Sequence, residues 1–144
     1  MLKYKEITKR TAARLGISKD ECRGGRQSFL VGDTWIVSFD KVLDVPAAWV
    51  SFNTLEEEVN SDEYDTTVNL FNPSQILELF RTVMRIAQEQ GYLLLQNNPA
   101  CPKRARVYNL AARRAGCDVF EQILEDGDVF QEIFAPGYTK GPAV

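Results

Sequence analysis

Residues 72–96 read NPSQILELFRTVMRIAQEQGYLLLQ, and this stretch decides the fold. Asn72 or Ser74 suits a helix cap, and Pro73 suits the first turn, where a missing N–H costs nothing. Ile76, Leu79, Phe80, Val83, Ile86 and Ala87 recur at helical spacing, and Leu77 and Met84 widen the stripe. A stripe that broad predicts a helix lying against a sheet. Gly91 ends it, and YLLLQ at 92–96 follows as a continuous apolar strand. Upstream, TTVNLF at 66–71 also reads as a strand, the fourth in the chain. A helix between two apolar strands is the crossover unit of a parallel pair.

Working outward, residues 4–15 predict a first helix, with Ile7, Thr11 and Leu15 on one face and Gly16 as its stop. SKDE at 18–21 has capping-box spacing, and CRGGR at 22–26 reads as a plain turn. SFLV and TWIVSF predict two strands joined at Gly32-Asp33, and AAWVSFNTL at 47–55 a third. Downstream, residues 103–115 predict the last helix, with Val107, Leu110 and Ala111 inward and Arg106, Arg113 and Arg114 outward. The alternating run after Gly116 predicts two strands around Asp126-Gly127. The expectation is one α+β domain over residues 1–144, with a mixed central sheet flanked by helices.

Composition narrows the chemistry. The 144 residues carry a net charge of −3 and contain no histidine. The commonest general base and metal ligand is therefore missing. Cys22, Cys101 and Cys117 have no zinc-like spacing and read as buried thiols. No metal site is expected. The acidic run at 56–65 reads as a solvated link. No segment approaches the ~20 apolar residues of a membrane span, and the first residues lack a signal-peptide core. These features point to a soluble protein of a reducing compartment.

The pieces TTVNLF, helix 73–90, YLLLQNN, RARVYNLAARRAG and the CDVFEQI…DVFQEIF hairpin resemble, in that order, the GCN5-related N-acetyltransferase fold. The resemblance covers about half the chain with some force; the rest agrees in element order. It implies a loop before the long helix whose backbone N–H groups hold the cofactor pyrophosphate. Here that junction is LFNPSQI, shorter than the family's glycine pattern, with Pro73 offering no N–H. The resemblance also implies a tyrosine four residues before the glycine that ends the last helix. Ala112 stands there, and Tyr108 lies one helical turn earlier. The outline is similar, too, to a small internal virion protein of short-tailed phages, which keeps the acetyltransferase shape without the cofactor loop.

Two functions follow as expectations. The first is a non-catalytic acetyltransferase-like protein without cofactor. It would be a structural or protein-interaction component of a phage particle, in the virion or the host cytoplasm, with Arg106, Arg113 and Arg114 facing partner subunits. The alternative is an acetyl-CoA-dependent transferase. Ser74, Gln75 and Ile76 would then hold pyrophosphate, an N–H near Val68 to Leu70 would polarise the carbonyl, and Tyr108 would be the general acid. A small inhibitor, or a nucleic-acid contact through the basic helix 103–114, is a further alternative.

Overall fold

A computed structural model describes residues 1–16, 25–54, 73–99 and 102–136. The fold is mixed α+β. Among the described residues, three helices flank a seven-stranded, mostly antiparallel sheet. The strands are β1 (Tyr4–Glu6), β2 (Arg26–Val31), β3 (Trp35–Lys41), β4 (Ala47–Thr54), β5 (Leu94–Asn97), β6 (Asp118–Ile123) and β7 (Val129–Phe134). The helices are α1 (Lys9–Leu15), α2 (Pro73–Glu89) and α3 (Pro102–Arg114). Strand order is β1-β2-β3-β4-β5-β7-β6, and only β4 and β5 run parallel.

Period-two alternation divides the sheet into two faces. Phe29, Val31, Val37, Phe39, Val50 and Phe52 point toward α2 and α3 and join the main core. The residues between them face the other way. Leu30 and Ile36 meet Ile7 and Ala12 in a second, smaller cluster beneath α1. Ser28 and Ser38 stand opposite one another in the β2–β3 register and share a buried 2.8 Å hydrogen bond.

The apolar stripe of α2 lies where the sequence places it. Ile76, Leu79, Phe80, Val83, Met84, Ile86 and Ala87 are all buried. The helix ends in a Schellman closure: Tyr92 N–H donates to Ala87 O at 2.8 Å and Gly91 N–H to Gln88 O at 3.1 Å. That closure needs φ +84° at Gly91. α3 ends in the same way, with Cys117 N–H on Ala112 O and φ +93° at Gly116.

Two expectations change. Residues 4–15 are not one helix: Tyr4–Glu6 form β1, and Thr8 then caps a shorter α1 through Thr11 N–H at 3.2 Å. The Tyr4 ring packs on Phe29 and its hydroxyl meets Glu89, so tertiary contact overrides the helical spacing. The strand paired parallel with β5 is 47–54, the third predicted one; residues 66–71 lie outside the described residues.

Gly91→Ala should cost about 1 kcal/mol, from backbone strain alone. A Cβ at that position meets nothing within 4 Å. Phe80→Ala empties the centre of the core and should cost about 3–5 kcal/mol. Urea unfolding of each variant against the parent protein measures both.

Candidate functional site

β4 and β5 pair over three residues, Ala47↔Leu94, Ala48↔Leu95 and Trp49↔Gln96. β5 then ends at Asn97 while β4 continues to Thr54. A cavity of about 380 Å³ opens at this fork. Ser51 and Asn53 of β4 line one side, and Asn97 and Asn98 line the other. Arg104 and Tyr108 reach it from α3, one turn apart, and Asp128 comes from the β6–β7 turn.

Below the cavity, aromatic rings close the core. The Phe52 and Phe80 centroids lie 5.1 Å apart, and Tyr108 sits 5.1 Å from Phe52 and 5.5 Å from Phe80. This triangle ties β4, α2 and α3 together. Tyr108 is only 2% exposed, so its ring is a core residue as well as a cavity wall. Arg104 is also 2% exposed. Sequence reading grouped it with a basic surface, yet its spacing of four from Tyr108 places both on the inward face.

Buried amides set the position of α3. Gln131 is fully buried, and its Oε1 accepts from Asn97 Nδ2 at 3.0 Å. Its Nε2 donates to Ala105 O and to Glu121 Oε1, each at 2.9 Å. Glu121 Oε1 also accepts from Asn109 Nδ2 at 2.6 Å. Asn109 Oδ1 accepts from Arg113 Nε at 2.7 Å, and Arg113 Nη2 reaches Val119 O at 2.7 Å. A charged hydrogen bond of that length is among the stronger kinds. Of the three arginines expected to face a partner, Arg113 is therefore exposed but committed to β6. Arg106 and Arg114 are exposed on the same helix.

The residues suggested for pyrophosphate lie elsewhere. Ile76 is buried in the core. Ser74 and Gln75 line a second cavity, of about 510 Å³, between α2 and the β2–β3 turn. Asp33 and Glu78 line it too, with Leu2 and Trp35. The terminal amine of Met1 lies 3.0 Å from Glu78, and Arg81 lies 2.9 Å from it. Hydrogen bonds from both hold the Glu78 carboxyl below its usual pKa, so it stays ionised. The structure thus places Tyr108 and Ser74 in different cavities. Residues Val68 to Leu70 lie outside the described residues.

No group of three or more His, Cys, Asp or Glu among the described residues could hold a metal ion. Among the same residues, no helix is long and apolar enough to cross a membrane. Cys117 is buried, and desolvation, with Asp118 beside it, pushes its thiol up to about 11. At neutral pH it holds its proton and is a poor nucleophile.

Gln131→Leu should cost about 1–3 kcal/mol, because it strands the Asn97 amide and the Ala105 carbonyl in the core. Thermal unfolding of that variant checks it. In a Cys22→Ser/Cys101→Ser background, Cys117 should resist alkylation until the chain unfolds or the pH nears about 11. The folded state binds that proton more tightly than the unfolded state. The associated stability is whole below the ordinary pKa of 9.0 and lost as the pH climbs through about 11.

No family model, curated protein or solved structure matches this chain.

Proposed function

We propose that this chain is a non-catalytic protein of acetyltransferase-like outline that works through protein contacts. An internal virion component of the short-tailed-phage kind is its most concrete form. The order of meander, long helix, parallel strand, basic helix and hairpin supports the outline. The charge at the start of α2 carries the functional half of the reading. A cofactor pyrophosphate needs converging N–H groups and positive potential. At this helix start, Pro73 contributes no N–H, and the carboxylates of Asp33 and Glu78 border the adjoining cavity. A phosphate group there would face the carboxylate of Asp33, and the nearest cations, the Met1 amine and Arg81, are already paired with Glu78.

The fork supports the same reading. Phe52, Phe80 and Tyr108 fill the volume beneath it, and Asp128 is the only carboxylate lining the cavity among the described residues. A transferase of this outline needs a group that accepts the amine proton and another that protonates the leaving thiolate. Tyr108 at the cavity wall favours the second reading, an acetyl-CoA-dependent transferase.

Titration calorimetry with acetyl-CoA separates the two. Absence of heat at about millimolar cofactor is the expected result, and a Kd near about 1 μM overturns the non-catalytic reading. In the latter case Tyr108→Phe should retain the fold and lose turnover, since the ring stays and the proton donor goes.

A further inference from the structure

Among the described residues, the two outermost strands of the sheet have no strand on their outer side, and they carry opposite charge. β1 is one edge and β6 the other. Residues 1–16 hold Lys3, Lys5, Lys9, Arg10 and Arg14 against a single acid, Glu6, and all five cations are exposed. Residues 117–136 hold Asp118, Glu121, Glu125, Asp126, Asp128 and Glu132 and no lysine or arginine. Five of those six acids are exposed. We propose that these edges pair between copies of this chain, β6 of one copy against β1 of the next.

Backbone alternation shows which groups are available. Ile7 N–H donates to Ser28 O, and Gly32 N–H donates to Lys3 O. The odd residues of β1 thus bond to β2, which leaves the peptide groups of Tyr4 and Glu6 facing outward. On β6, Leu124 N–H donates to Asp128 O, so the even residues bond to β7. The peptide groups of Val119, Glu121 and Ile123 face outward. Arg113 already occupies Val119 O, which confines docking to Glu121 and Ile123. Ile123 is 75% exposed and Leu124 beside it 42%, so apolar area lies within the acidic edge.

Strand direction fits. Tracing the pairings across the sheet leaves β1 and β6 antiparallel. A neighbouring copy with the same face outward therefore presents β1 antiparallel to β6. Alternation puts Glu121 on the helix side of the sheet and Lys3 and Lys5 on the other, so the register that keeps Glu6 away from Glu121 sets Glu6 against Ile123 and Lys3 against Asp126. An unpaired edge is a template for such pairing, and opposite charge selects the partner edge over its own kind. The contact is head-to-tail, so it builds a ring or an open row rather than a two-fold dimer. This inference rests on the interaction reading and names a second copy as the partner, at a surface apart from the fork.

Sedimentation of the full chain over a concentration series tests it. At about 0.05 M salt, species larger than the monomer should form, and their apparent Kd should weaken at least about tenfold at about 0.5 M salt. Lys5→Glu/Lys9→Glu blocks the basic edge, and Ile123→Lys/Glu125→Lys blocks the acidic one. Each variant should be monomeric alone. An equimolar mixture should regain species larger than the monomer, because every edge of one variant then meets an edge of opposite charge on the other. A parent chain that stays monomeric at low salt overturns the proposal, whatever the acetyl-CoA result. Self-association that survives in Lys5→Glu/Lys9→Glu overturns it as well, since it would mean that like edges pair.

Discussion

The side-chain amide of Gln131 is the joint on which α3 hangs. A buried amide is costly unless its donors and acceptor all find partners. Here one amide engages β5 through Asn97, α3 through the Ala105 carbonyl, and β6 through Glu121. These partners fix how far α3 stands from the sheet and where along it. Arg104 and Tyr108 reach the fork because the turn of helix that bears them is pinned by this amide. An apolar residue of the same size would bury as well, yet it would leave α3 free to slide. Directional bonds supply the register that dispersion forces cannot.

The two cavities differ in electrostatic character. The fork is lined by amides, two hydroxyls, a buried guanidinium and one carboxylate at the turn. The helix-start cavity combines two carboxylates with apolar walls. In the acetyltransferase outline a single cofactor would have to satisfy both places. The favourable helix dipole at Ser74 is opposed within one turn by Glu78, whose ionisation is secured by its own cations.

Much of the fold was legible in the sequence. The width of the α2 stripe, the glycine stops at 91 and 116 and the Asp126-Gly127 turn each have a local cause, and all stand where the pattern places them. β1 was not legible, because Tyr4–Glu6 are held as a strand by Phe29 and Glu89, far along the chain. The choice of parallel partner was also hidden: 47–54 and 66–71 are equally strand-like, and pairing is a non-local decision. Of the site, Tyr108 was visible and Arg104 was misjudged, because a basic run hides the one cation that turns inward. Gln131 had a readable signal in the alternation of Val129, Gln131 and Ile133, which puts a polar residue on an inward position.

The attachment of the amino end to α2 bears on synthesis. Leu2 N–H reaches Thr82 Oγ1 at 2.9 Å, across eighty positions of chain. At roughly 5–20 residues per second, the partner leaves the ribosome on the order of 4–16 s after Leu2. β1 can pair with β2 well before then, so the late step is the tie of Leu2 to α2 and not the strand pairing itself.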